Sequence, residues 1–397
     1  MKRSQPNLKL KAVMVLLAAA WAPATVLGAY TITDVGTLGQ PFTYAFAVDD
    51  AGRVAGTSAR MDSRFHAYRW ANGLVDLGTL AGVSLSHGVA LDASGEVIGV
   101  SFDLGDRTPR AFRSNAGVLT SLGAFSARAV NASGDIGGWL TVTLASGWKA
   151  DHACVLRAGL LSDLGTLGGS SSQALGMNDS GWIVGSSFLA DDLTNRACLW
   201  TAGGPRDLGT LGGTDSQAYD INETGMVVGI SKTSGGLPHA FSYQLDVTGN
   251  VQTRTDLGVL GNEALGHSAA YAVNASGVIV GTSGGHAIKW QGGVMTDLNT
   301  QIPVNSGWKL ASATAISAGG RIVGLGLHEG ALRGFLLTPP CAADTNGDGI
   351  INGADLSVLL SQFGQTVPVG TGADLNADGL VNGADLSVLL SNFGISC

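Results

Sequence analysis

The chain has 397 residues, of which 60 are Gly, about 15% against a globular norm near 7%, and charged residues make up 13%, about half the usual share. A hydrophobic fraction of 45% excludes a disordered chain, and glycine at this level excludes a coiled coil. With 22 Lys and Arg against 30 Asp and Glu, the net charge of -8 provides no basic surface for a phosphate backbone, so nucleic acid is not an expected partner.

At the N-terminus, residues 1–28 carry Lys2, Arg3, Lys9 and Lys11 and no acid, followed by an apolar run from Ala12 that ends in the small residues Gly28 and Ala29. This is the layout of a secretory signal peptide. A membrane anchor is the alternative, but Pro23 interrupts the run and no polybasic stop follows it. The mature chain is therefore expected to lack a membrane span and to be secreted, either free in the extracellular space or held at the cell surface.

Residues 29–338 are one unit repeated seven times. The units begin with DVGTLGQ at Asp34, DLGTLAG at Asp76, SLGAFSA at Ser121, DLGTLGG at Asp163 and at Asp207, DLGVLGN at Asp256 and DLNTQIP at Asp297. Successive starts are 42, 45, 42, 44, 49 and 41 residues apart. Each unit continues through a turn such as AVDDAG, GMNDSG or DINETG, a β-branched run such as EVIGVS or MVVGIS, a variable loop, and a strand such as HAYRW, RAFRS or HAFSY. Four short strands per unit at this period predict an all-β, seven-bladed β-propeller, with an open β-solenoid as the alternative. The last unit ends at Gly334-Phe335-Leu336-Leu337 without a fourth strand, and Tyr30-Thr31-Ile32-Thr33-Asp34 is an orphan strand at the other end. The two are predicted to share one sheet and close the ring.

The DLGTLGG, N-D-S-G and H-A-F pattern resembles the HAF family of extracellular repeat proteins, over roughly residues 30–338. Units three and seven depart most from it, at Ser121 and at DLNTQIP.

Residues that recur in every unit read as packing or turn devices before they read as a site. Asn131, Asn178, Asn222 and Asn274 each sit in Asn-x-Ser/Thr, a glycosylation signal, but each also begins a turn, and turn chemistry is the better account. His66, Arg110, His152, Arg196, His239, His286 and Arg333 share one phase. Arg is not a metal ligand, so a tether to the leading carboxylates, or to a carbonyl of a neighbouring strand, that ties blades together is preferred over a metal ring. Cys154 and Cys198 share a phase in adjacent units and read as buried thiols. What does not recur is the loop after the β-branched run, including Phe102, Asp103, Asp106, Trp148, Asp191 and Asp192. Variable loops on a rigid scaffold are candidate recognition surfaces, for a polysaccharide or a protein. No GxSxG, HExxH, P-loop or GxGxxG is present. Catalytic residues are therefore unknown, although paired loop carboxylates for glycan cleavage are not excluded by sequence.

Pro339 and Pro340 open a short linker, 339–343, before a tail of different composition, 344–397. Two twelve-residue loops carry oxygen donors at positions 1, 3, 5, 9 and 12 and a backbone carbonyl at position 7: Asp344, Asn346, Asp348, Ile350, Asn352 and Asp355, then Asp374, Asn376, Asp378, Leu380, Asn382 and Asp385. This is the ligand pattern of a calcium loop with Asp in place of the usual final Glu, and it predicts two bound Ca2+ ions. Each loop runs into Leu-Ser-Val-Leu-Leu-Ser, an apolar helix, and residues 352–361 repeat identically at 382–391. This loop-helix duplication resembles a type I dockerin, and the Cys397 ending resembles its GC-type group. The resemblance implies a small all-α calcium-binding domain that docks to a cohesin-type partner through positions 10 and 11, here Gly353, Ala354, Gly383 and Ala384. Cys341 and Cys397 bracket the tail and are candidates for a disulfide; a C-terminal Cys available for surface linkage is the alternative.

Together these features predict a secreted, noncatalytic binding or scaffold protein: a propeller that recognises an extracellular polymer or protein, and a tail that attaches it. A polysaccharide-degrading hydrolase or lyase anchored by the dockerin-like tail is the competing expectation.

Overall fold

A computed structural model describes residues 30–105, 108–261, 266–341, 343–346 and 350–394. The expected signal at 1–28 lies outside the described residues, as do Asp106, Asp348 and Cys397. Among the described residues no helix is long and apolar enough to cross a membrane.

The repeats build a β-propeller. A typical unit lays down Gly212–Ile221, Met226–Thr233, Pro238–Leu245 and Val251–Asp256 as a four-stranded antiparallel sheet in chain order. The middle strands are the most apolar, so neighbouring sheets bury them. Phe241 and Tyr243 of the third strand are fully buried and stack at 4.1 Å between ring centres.

The expectation of seven separate blades needs correction. Five four-stranded sheets stand alone, whereas the first and last units merge into one eight-stranded sheet. The junction is a parallel bridge between Phe42 and Leu332. Its cause is the short connection after Thr31–Asp34. That strand pairs antiparallel with Ala331–Thr338, from Thr31 opposite Thr338 to Asp34 opposite Phe335. Only four residues later the strand Gly39–Val48 begins, which holds its start against the same neighbour. The orphan N-terminal strand thus does complete the last unit, but as part of a composite sheet.

The recurring motifs have local physical explanations. In DLG, one oxygen of the leading Asp accepts the N–H of the Gly two residues on, at 2.8 Å for Asp76 and Gly78 and 2.7 Å for Asp207 and Gly209. The intervening Leu is buried, as at Leu208 and Leu257. In the second strand, Gly185 and Gly229 stand where the opposite strand brings a carbonyl oxygen to 1.9 Å and 2.0 Å of where a Cβ would lie. That approach comes from a β-bulge in the first strand of each unit, between Ala174 and Gly176 and between Ala218 and Asp220 in these two.

Of the two units with altered motifs, the third keeps a separate sheet, while the seventh is part of the composite one. The sheet after Ser121 has all four strands. Asp297 caps a single 3-10 turn, Leu298–Gln301, with its side chain accepting from the N–H of Asn299.

The tail carries two short helices, α1 Gly353–Gln362 and α2 Gly383–Ser391. It is not purely helical, because an antiparallel bridge joins Thr366 and Leu380. Ala343, Ile351, Leu359, Ala373, Val381 and Leu389 form its own small core.

Candidate functional site

Antiparallel strand order divides the propeller into two faces. The variable loops and the DLG connections emerge on one, the upper face, and the Asn-initiated turns lie on the other.

The lower face is built for structure. Asn131, Asn178, Asn222 and Asn274 are buried, and each side-chain nitrogen donates to a backbone carbonyl of the next unit, at 3.4, 3.2, 3.0 and 3.3 Å. The same side chains accept the N–H four residues on, as from Trp182 and Met226. The nitrogen that a glycan would need is thus already a buried donor in a ladder between units.

The shared His/Arg phase is a tether, with one change to the expectation. His66, His152, His239 and His286 place Nδ1 2.7–2.8 Å from Asp76, Asp163, Asp256 and Asp297. Arg196 lies 3.7 Å from Asp207, and Arg333 3.6 Å from Asp34. These pairs join the third and fourth strands of one sheet rather than adjacent blades. Contact between sheets is made by serines that the motif search passed over. The hydroxyl of Ser86 accepts the N–H of Ala67 in the preceding sheet at 2.8 Å, and Ser172, Ser216 and Ser268 do the same for Ala153, Ala197 and Ala240.

Cys154 and Cys198 are free and buried, and burial pushes the Cys154 thiol up to about 12, so neither is a nucleophile. Cys341 is disulfide-bonded, while its candidate partner Cys397 lies outside the described residues.

On the upper face the loop acids mostly order their own loops. Asp191 accepts from the hydroxyl and N–H of Thr194 and the N–H of Leu193, which holds its carboxyl at about 2. Asp192 accepts from Ser170, and Asp103 from Ser84. Trp148 is exposed at a loop tip.

The contiguous feature here is a row of rings. Phe46, Tyr44, Phe65, His87 and Phe102 follow one another with centres 6.1, 6.4, 6.3 and 5.3 Å apart. All five are partly accessible, and burial lowers the pKa of His87, which favours a neutral ring. Beyond Phe102 the row opens into a cavity of about 380 Å³, lined by Leu104, Pro109, Trp139, Thr141 and Asp151.

The other end of the row enters the central channel, a cavity of about 290 Å³ to which every unit contributes its first strand. The residue extruded by each β-bulge points into it: Phe46, Val89, Arg128, Leu175, Tyr219, Tyr271 and Thr314. One residue further on, six units carry Ala or Gly, and the unit starting at Asp207 carries Asp220. Its two oxygens accept the N–H groups of Val273 and Ile221, at 2.9 Å each. Burial nevertheless raises its carboxyl to about 6, against the lowering pull of those bonds and of Arg128. Gly176 makes room for it, because a Cβ there would meet Asp220 Cα at 2.7 Å. The sequence reading missed these residues. The available signal was DINETG itself, where an acid occupies a small-residue position.

In the tail, the described loop residues are tied together by their own hydrogen bonds. Asp374 accepts from Gly370, Asp378 and Gly379, and Asn376 donates to Asp378 at 2.8 Å. Asn352 and Asn382 cap α1 and α2 by accepting from Ala354 and Ala384, and they donate to the carbonyls of Ile350 and Leu380. Asp355 and Asp385 accept N–H groups from their own loops, those of Asn346 and Asn352 and those of Leu375, Asn376 and Asn382. Among the described residues no three His, Cys, Asp or Glu side chains converge as a metal cluster. The donor set, all oxygen, is nonetheless of the hard type that suits Ca2+. Asp344 and Asn346 begin the first loop, and Gly353 and Gly383 open the two helices, with nothing within 4 Å of where a Cβ would stand.

No family model and no curated protein matches the chain. Several solved structures are similar to this chain over part of its length. TolB from Acinetobacter baumannii is 13% identical with a TM-score of 0.42, over 73% of this chain and 64% of that one. Puromycin hydrolase is 16% identical with a TM-score of 0.46, over 71% of this chain and 49% of that one. YCF48 bound to D1 peptide is 12% identical with a TM-score of 0.48, over 80% and 99%. This chain thus spans less than two thirds of TolB and about half of puromycin hydrolase.

Proposed function

We propose that the chain is a secreted, noncatalytic binding protein whose propeller holds an extracellular polysaccharide on its upper face and whose tail, similar to a type I dockerin, takes up two Ca2+ ions and docks to a cohesin-type partner. The observation that carries this reading is the row from Phe46 to Phe102, with ring spacings of 5.3–6.4 Å. Successive partly exposed rings offer aromatic surface to neighbouring sugar units, while a rigid scaffold keeps the ordering cost low. The HAF-like repeats supply that scaffold.

The competing reading, a glycan-degrading enzyme, rests on Asp151 in the cavity beside Phe102 and Trp139. A glycosidase needs a second carboxylate within roughly 5–10 Å, and Asp103 and Asp191 are engaged in loop bonds. The test is to incubate the chain with plant, algal and bacterial polysaccharides and score both retention and soluble products. Retention without products is expected; products would overturn the noncatalytic reading.

A further inference from the structure

The central channel holds a pair of opposite charges, Arg128 and Asp220, that the upper-face row does not use. Arg128 is placed in the channel by a β-bulge, and among the described residues its guanidinium makes no hydrogen bond or ion pair. Water reaches its surface, yet protein surrounds it closely enough to lower its pKa, as expected for a side chain standing in a narrow wet tunnel. An arginine with five unused donors in such a place is matched by a planar anion. Tyr219 and Tyr271 also line the channel, with ring centres 5.3 Å apart and planes tilted by 57°, which forms a two-sided aromatic wall. Asp220 completes the set, as an acceptor held by two backbone N–H groups.

We propose that this channel binds one hexuronate unit: Arg128 takes the sugar carboxylate, Tyr219 and Tyr271 pack on the ring, and Asp220 accepts from a sugar hydroxyl. A volume of about 290 Å³ is at the lower limit of small-molecule sites, about 300 Å³, and suits a single monosaccharide rather than a chain. The choice of a sugar rests on the polysaccharide reading of the upper face, since Phe46 links the aromatic row to the channel. Together they describe a polymer lying along the row with one acidic unit turned inward.

Calorimetric titration of the full chain with glucuronate, galacturonate, glucose and acetate tests this. The expected result is saturable binding of at least one uronate, with glucose and acetate at least tenfold weaker and uronate affinity at least tenfold lower in Arg128→Gln. Tyr271→Ala, expected to show the same loss, serves if Arg128→Gln fails to fold. Equal binding of acetate would overturn the sugar assignment, and equal binding of glucose the role of Arg128; unaltered binding in both variants would overturn the site. Polymer retention is scored in parallel on Phe65→Ala. Retention that depends on Phe65, with no uronate binding, would overturn this inference alone.

Discussion

At the scale of single residues, Asp220 illustrates how a repeat departs from its own rule. A carboxylate replaces Ala or Gly at a position facing the channel, and burial raises its pKa from 3.8 to about 6. Between those values the folded chain holds a proton that the unfolded chain has lost, so the stability contributed at this residue falls as pH rises from about 4 to about 6. Asp220→Asn removes the charge but keeps only one of the two acceptors, so one backbone N–H loses its partner at any pH. We expect the variant's melting temperature relative to the parent to be more favourable at pH 8 than near pH 4, by the equivalent of about 1–2 kcal/mol. Thermal scans at both pH values check this, and a difference that is independent of pH or of the opposite sign would contradict it.

At the scale of elements, each unit is held by two separate devices. The His–Asp pair joins the third and fourth strands within a sheet, and the Ser and Asn bonds join one unit to the next. Asn178→Ala removes both a donor to the Asn222 carbonyl and an acceptor for Trp182 N–H, leaving buried groups unsatisfied. We expect it to cost about 2 kcal/mol, against about 1 kcal/mol for His239→Ala, whose partner Asp256 is exposed enough to be rehydrated. Denaturation midpoints rank the two, and the reverse order would contradict this division of roles. His239→Ala should lose no metal. Much of this was legible in the sequence. The DLG turn, the Asn turn and the His/Arg tether all recur, and recurrence separates scaffold from site. The serines were not, because a small hydroxyl leaves no hydropathy signal and its partner lies in another unit. The bulges were not either, since an extra residue in the first strand appears only once register is known.

At the scale of the whole molecule, period and strand content were enough to read a propeller and to pair its two ends, but they could not reveal that the first and last units merge into one eight-stranded sheet. That join depends on the four residues between Asp34 and Gly39 and on a single bridge, Phe42 to Leu332. The site was less legible than the fold. Phe102 was in view as a loop residue, while Tyr44, Phe46 and Phe65 lie on two strands of the first unit and His87 on the first strand of the second, so the row is completed only when those two units pack together. The tail is governed by charge. Asp374, Asp378 and Asp385 all belong to one twelve-residue loop, and on the proposal that this loop takes up Ca2+ the ion is expected to stabilise it by offsetting their charge. Hydrogen exchange with and without chelator should show at least tenfold faster exchange around Leu359 and Leu389 when calcium is withdrawn, with the propeller strands unaffected. No change in the tail would contradict a calcium-dependent fold.

The central claim is that the aromatic row of the upper face binds an extended polysaccharide without cleaving it. Its most direct test compares retention of the full chain and of Phe65→Ala on insoluble polysaccharides, with the supernatants analysed by mass spectrometry. The account predicts that the chain is retained on at least one polymer, that Phe65→Ala weakens retention at least tenfold while melting near the parent temperature, and that no oligosaccharides are released. Release of oligosaccharides, or retention indifferent to Phe65, would contradict it.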